Sequence, residues 1–215
     1  MANHIFISKS SKTDTTSKTY DPRSCVSRIS CYDAYGEITG DNPHAFTGVE
    51  AYQVYKKARS YKQKFHYHFN DVSDMLIQAD NAARYSVRSL IIKQPSNYLS
   101  TSQLRTFYRE LLLWMQEPEP KAYFELAYRR YDFVILRTML NELEPFVIEH
   151  WNSYNDTELL DDIYAWYKAQ FIAEISIWEH DSFNRTAVSK LANRLANLHA
   201  SAPQLYFAHV NNDPA

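Results

Sequence analysis

Glycine is scarce in this chain. There are three glycines among 215 residues, and all of them lie within the first 48. Folds built on mixed or parallel sheets use glycine where the backbone turns with positive φ or approaches a ligand closely. The same scarcity leaves no GxxxxGK[ST] phosphate loop, no GxGxxG dinucleotide turn and no GxSxG nucleophile elbow. The sequence therefore favours helices and excludes these three kinds of site.

Cysteines and long apolar runs are also few. The two cysteines, Cys25 and Cys31, are too few to form a disulfide framework. We predict that both are free thiols in a reducing cytoplasm, and that the protein binds no metal and no cofactor. The apolar run at residues 5–7 is too short for the core of a signal peptide. No segment approaches the roughly 20 apolar residues of a membrane span. The expectation is a cytoplasmic protein with no membrane partner.

The bulk composition is that of a globular domain, since 45% of the residues are hydrophobic and 22% are charged. A chain of 215 residues forms about one domain and buries roughly 70% of its unfolded surface. The net charge of −2 gives no overall basicity that would indicate a nucleic-acid partner, whereas the aromatic content of 15%, including 17 tyrosines, is high. Any binding function must therefore rest on a local patch.

Helical patterns begin after residue 46 and continue through most of the chain. We predict an all-α fold, a single helical bundle of about six or seven helices at residues 47–199. The preceding residues 1–46 are expected to be an irregular or two-stranded head with a flexible Ser/Thr/Lys-rich arm, and residues 200–215 a frayed tail. The segments Thr47–Glu50 and Ser100–Gln103 each have the spacing of a capping box that opens a helix.

The segment YKKARSYKQKFHYHF, residues 55–69, alternates basic side chains with aromatic rings. An apolar seam from Ala51 to His68, which includes Tyr61 and Phe65, predicts one helix here, with the basic strip at 52–66 beside the seam. Lysine and arginine can follow a phosphate backbone, and rings can stack on unpaired bases for about 1–3 kcal/mol each. The nucleic-acid-binding candidates are Tyr55, Lys56, Lys57, Arg59, Lys62, Lys64 and His66, extended by Arg84 and Arg88.

An uneven charge distribution leaves a second interpretation of this strip open. Residues 51–93 carry a net charge of +5, whereas residues 138–183 carry one lysine and ten acidic residues. The basic residues would then be a solvated face, or would lie opposite the acidic helices within the same bundle.

The acidic half predicts a protein interface. Acidic side chains at a predicted helix start are favoured by the helix dipole, and aromatic residues in the preceding loop are typical interface anchors. The interface candidates are Trp151, Tyr154, Asp156, Glu158, Asp161 and Asp162. The function we favour from sequence is that of a non-enzymatic adaptor, or an inhibitor or modulator of a larger complex, with nucleic-acid binding as the alternative. The stripe Leu191, Leu195 and Leu198 is compatible with either a monomer core or a homo-oligomer.

An enzyme is the least favoured hypothesis. The pair His180-Asp181 resembles part of a metal-dependent phosphohydrolase site, which would also need a histidine such as His66, His68 or His150, and Asp213. No histidine follows a glutamate by three positions, so the Glu-x-x-His pattern of helical di-metal sites is missing. We therefore predict a protein without catalytic residues.

Overall fold

The structure, a computed structural model, describes residues 22–40, 48–94, 99–130, 134–151, 157–181, 183–184 and 187–212. Within these residues the chain forms nine helices and no strand, which confirms the all-α prediction. None of these helices is both long and apolar enough to cross a bilayer. The helices are α1 (Pro22–Gly40), α2 (Ala51–Lys57), α3 (Lys62–His68), α4 (Val72–Ile92), α5 (Thr101–Met115), α6 (Pro118–Arg130), α7 (Val134–His150), α8 (Thr157–His180) and α9 (Val188–Asn212).

Two helix starts follow directly from short polar motifs. The capping box predicted at Ser100 is confirmed, because the Ser100 amide donates to Gln103 Oε1 at 2.9 Å and the Gln103 amide donates to Ser100 Oγ at 3.4 Å. Asp71 caps α4 by accepting from the Asp74 amide at 2.8 Å. The Asn70-Asp71 pair therefore separates two helices.

The predicted irregular head is wrong for residues 22–40, which form α1. One face of this helix carries Cys25, Arg28, Tyr32, Tyr35 and Thr39, at alternating steps of three and four, and four of these five are buried. Because the face is built from thiols, hydroxyls and tyrosines, it has little hydrophobic contrast with the rest of the helix. The thiols of α1 are free and buried, and burial raises the pKa of the Cys31 thiol to about 11.

Arg28 fastens α1 to three other parts of the bundle. Its guanidinium forms an ion pair with Glu119 at the start of α6 and donates to Gln78 Oε1 of α4 at 2.9 Å. It also lies 4.9 Å from the ring centre of Phe69, which follows α3. The N-terminal helix is thus an integral part of the fold.

The helices pack as neighbouring pairs around one continuous core. The main pairs are α5 with α9, α4 with α7 and α8 with α9, while α1 lies along α6. The short helices α2 and α3 pack on α1 and on each other. The two short helices therefore lie on α1. They are separate from α5, α8 and α9, whose side chains meet at the centre of the core.

The centre of the bundle contains a hydrogen-bonded aromatic cluster. The Tyr108 hydroxyl lies 2.8 Å from the Tyr167 hydroxyl and 2.8 Å from His199 Nδ1, and all three side chains are buried. Burial, with His150 nearby, holds the pKa of His199 well below its usual range, so this imidazole is neutral at pH 7. The Tyr108 hydroxyl thus links Tyr167 and His199 within the core, whereas Nε2 of His199 is buried without a hydrogen-bond partner among the described residues.

The predicted frayed tail from residue 200 is also wrong, because α9 continues to Asn212. Pro203 lies inside this helix and has no amide proton for the carbonyl of His199, four residues earlier. The indole Nε1 of Trp151 donates to that carbonyl at 2.7 Å. A side chain from the end of α7 thus replaces the missing helical hydrogen bond. Pro145 likewise lies within α7 without ending it.

Candidate nucleic-acid interface

The basic-aromatic segment forms two short helices joined by a tight turn, where the sequence predicted one helix at 52–66. Helix α2 begins after Glu50, whose amide donates to Gln53 Oε1 at 2.8 Å. The N-cap therefore lies at Glu50, three positions after the predicted Thr47, which is outside the described residues. Helix α3 begins after Tyr61, and the chain between the helices runs through residues 58–61.

The turn after α2 is a Schellman motif with arginine at the position that glycine usually occupies. The Ser60 amide donates to the Tyr55 carbonyl at 2.8 Å, and the Arg59 amide donates to the Lys56 carbonyl at 3.2 Å. Arg59 accordingly has φ of +50°. A side chain in this left-handed region costs about 1 kcal/mol relative to glycine. The fold alone would be better served by glycine at position 59.

The inner side of α2 and α3 fixes both helices on α1. Val54, Phe65 and Phe69 are buried, and the Phe69 ring meets Tyr32 of α1 edge-on, with 5.9 Å between ring centres. Tyr55 is half-buried beside Phe65 at 6.4 Å. Tyr55 was a predicted ligand contact, but its ring serves chiefly to pack the two helices together.

The outer side of α2 and α3 presents basic side chains to solvent. Between residues 51 and 70 the sequence has no aspartate or glutamate. Lys57 forms an ion pair with Glu37 of α1 at 2.9 Å. The other predicted basic residues are exposed and have no ion pair with any described residue: Lys56, Arg59, Lys62, Lys64 and His66.

Three tyrosines stand exposed among these cations. Tyr52 is 50% exposed, Tyr61 78% and Tyr67 81%. The prediction that Tyr61 belongs to the core seam is wrong, because the break between α2 and α3 turns this residue outward. Sequence reasoning did not single out Tyr52 or Tyr67. The available signal was their position three or four residues from a lysine. We call the three tyrosines, together with the exposed cations Lys56, Arg59, Lys62 and Lys64, the α2–α3 surface.

The predicted extension of the strip on α4 is not part of this surface. Both arginines of the predicted extension interact with Glu142 of α7. Arg84 Nε is 3.2 Å from Glu142 Oε1, and Arg88 Nη2 donates to the same oxygen at 3.1 Å. The internal pairing that the charge distribution allowed therefore occurs for Arg84 and Arg88. Among the basic residues of α2 and α3, Lys57 pairs instead with Glu37 of α1.

Among the described protein-interface candidates, the aromatic and the acidic residues do not share an exposed patch. The ring of Trp151 is only 2% exposed, so it is not available as a surface anchor. Glu158, Asp161 and Asp162 are exposed on the first turns of α8. Tyr154 and Asp156 lie outside the described residues.

The described hydrolase candidates lie on different helices. His180 and Asp181 are exposed at the end of α8, whereas the histidines that would complete the site lie on α3 and α7, and Asp213 is outside the described residues. Among the described residues, no three histidine, cysteine, aspartate or glutamate side chains lie close enough to hold a metal ion.

The chain matches no protein-family model, no curated protein and no solved structure. The function must therefore be argued from the side chains of the candidate surfaces.

Proposed function

We propose that the protein is a non-enzymatic binding protein that holds nucleic acid on the α2–α3 surface. The observation that carries the proposal is the group of exposed cations Lys56, Arg59, Lys62 and Lys64, which have no ion pair with any described residue in a segment free of acidic residues. Cations without protein partners are free to replace the counterions of a phosphate backbone. A surface of this kind suits a polyanion.

The conformation of Arg59 supports the same function independently. Its left-handed backbone is costly for any residue with a side chain, and glycine would relieve that cost. The Arg59 side chain is exposed and makes no hydrogen bond or ion pair within the described residues that would offset this cost. Binding of phosphate is a role that would favour arginine here, because the guanidinium matches phosphate geometry.

The test is fluorescence anisotropy with labelled oligonucleotides at 50 and 200 mM salt. If four cations each contact a phosphate, the affinity falls roughly 50-fold between these two salt concentrations. The variant Lys56→Glu/Lys62→Glu/Lys64→Glu should bind at least about tenfold more weakly at 50 mM salt, because three of the four contacts become repulsive.

The matched control is Arg105→Glu/Arg137→Glu/Lys190→Glu. These exposed residues lie on α5, α7 and α9, so the variant has the same net charge as the first but an unaltered α2–α3 surface. It should retain most of the binding of the wild-type protein. Equal loss in both variants, or no binding by the wild type, would contradict the proposal. Equal binding of polyglutamate would indicate an acidic protein partner instead.

A further inference from the structure

We infer that the ligand of the α2–α3 surface is single-stranded, with unpaired bases stacked on Tyr52, Tyr61 and Tyr67. This inference rests on the proposed function and adds the class of nucleic acid. Its basis is the exposure of three rings, at 50%, 78% and 81%, within 16 residues that also carry the free cations. Single exposed aromatics are ordinary on a protein surface, but repeated aromatics beside cations are the pattern of single-strand binding.

Each exposed tyrosine has a lysine close to it along the helix. Tyr52 precedes Lys56 by four positions, Tyr61 precedes Lys64 by three, and Tyr67 follows Lys64 by three. The first and third of these pairs lie within a helix, where such spacings make side chains neighbours, with about 5–6 Å between Cβ atoms, and Tyr61 is the N-cap residue of α3. A phosphate held by the lysine therefore brings an adjacent base within reach of the ring. The spacing allows one nucleotide chain to use both kinds of contact.

The Tyr67 ring contacts the aromatic ring of the next residue. It meets the ring of His68 edge-on, with 4.9 Å between ring centres and an interplanar angle of 81°. Tyr67 nevertheless remains 81% exposed. By contrast, the Tyr55 ring is half-buried against Phe65 and offers less of its surface.

A duplex cannot use these tyrosines in the same way. Its bases are already stacked on one another, and a flat ring on the protein surface reaches them only after unpairing. Stacking on unpaired bases tolerates any sequence, because every base has an aromatic face. The α2–α3 surface is therefore expected to prefer single strands without strong sequence selectivity.

The experiment compares four labelled ligands with equal phosphate numbers by anisotropy at one salt concentration: single-stranded DNA, single-stranded RNA, duplex DNA and an abasic DNA strand. The abasic strand presents the backbone without bases. We expect at least one natural single strand to bind at least tenfold more tightly than the abasic strand, and more tightly than the duplex. The DNA and RNA arms identify which sugar the site accepts.

Two variants test whether the rings are responsible. Tyr52→Leu/Tyr61→Leu/Tyr67→Leu should bind the natural strand no better than the abasic strand, whereas Tyr52→Phe/Tyr61→Phe/Tyr67→Phe should keep the preference. All three positions are exposed, and circular dichroism checks that both variants fold. Equal binding of all four ligands, or tighter binding of the duplex, would overturn the inference but leave the proposed function intact. No binding of any ligand would overturn the proposed function itself.

Discussion

Tyrosines in two regions of this molecule have opposite surroundings. At the centre of the bundle, Tyr108 and Tyr167 share a hydrogen bond, and the Tyr164 hydroxyl donates to the Leu140 carbonyl. On the α2–α3 surface, three tyrosines have half or more of their area in solvent, with lysines nearby. Burial of a phenol requires a partner for its hydroxyl group, and the central tyrosines have such partners.

The difference shows which aromatic residues the fold explains. The central rings stabilise the protein, because each removes a large apolar area from water and each hydroxyl is satisfied. The surface rings bury little apolar area, and their hydroxyl groups remain accessible to water. The fold therefore gives no reason for these exposed rings, whereas the proposed ligand does. The same substitution made in the two regions should separate these roles.

Replacement of a tyrosine by alanine should have its largest effect at the centre. Tyr108→Ala removes a fully buried ring and leaves the Tyr167 hydroxyl and His199 Nδ1 without this partner. The free energy of unfolding should fall by about 3–5 kcal/mol. Tyr61→Ala should change it by no more than about 0.5 kcal/mol. Urea denaturation followed by circular dichroism measures both values.

The binding experiment supplies the reverse comparison for the same pair of variants. Tyr61→Ala should weaken the binding of single-stranded oligonucleotides while the fold stays intact. A destabilisation of 2 kcal/mol or more by Tyr61→Ala would mean that this ring has a structural role after all, and the contrast between the two regions would fail.

A second prediction concerns the carbonyl of His199, which Trp151 satisfies because Pro203 cannot. Trp151→Phe leaves this buried carbonyl without its donor and should lower the free energy of unfolding by about 1–3 kcal/mol, with an added contribution from lost volume. Pro203→Ala restores an amide proton that can reach the same carbonyl. The cost of Trp151→Phe should therefore be about 1 kcal/mol smaller in the Pro203→Ala background.

Denaturation of the wild type, the two single variants and the double variant completes this cycle. The lost volume is common to both backgrounds, so it cancels in the difference, and the remainder reports the hydrogen bond. Additive effects of the two substitutions would show that the indole proton contributes nothing through the His199 carbonyl. Trp151 would then stabilise the core by packing alone.

The helices that the sequence predicted best have strong apolar stripes and clear caps. In α5 the stripe from Leu104 to Met115 is buried as expected, and the capping box at Ser100 fixes where the helix begins. Such features are local, because a cap and a periodic stripe need only neighbouring residues. Local rules therefore predicted the all-α fold, while tertiary contacts decided the ends and the roles of individual helices.

The failures of prediction have long-range causes. Helix α1 has few strongly apolar residues, and its buried face depends on Arg28 reaching Glu119 and Gln78, which are distant in the sequence. Trp151 was proposed as an interface contact because nothing local reveals that it satisfies a carbonyl 48 residues away. For the candidate site, the basic residues of 55–66 were predicted, but the outward-facing tyrosines depend on the turn at Arg59.

A small predicted gain in stability is also the sharpest test of the surface. Arg59→Gly relieves the left-handed backbone at φ +50° and should raise the free energy of unfolding by about 0.5–1 kcal/mol. The same change removes a cation from the α2–α3 surface, so binding of nucleic acid should weaken and the dependence of log affinity on log salt should become shallower by about 0.7. Stability and binding should thus move in opposite directions, as measured by urea denaturation and anisotropy.

The control for this test is Arg59→Lys, which keeps the positive charge and the side chain in the left-handed region. Its stability should match that of the wild type, and most of its binding and salt dependence should remain, with some loss because lysine lacks the planar donor group of arginine. If Arg59→Gly binds nucleic acid as well as the wild type does, Arg59 is not part of the interface. The cost of its left-handed backbone would then have no functional reason. Arg59→Gly with lower stability would show that the arginine side chain supports the turn itself, and the contrast between a stabilising centre and a binding surface would no longer hold at this residue.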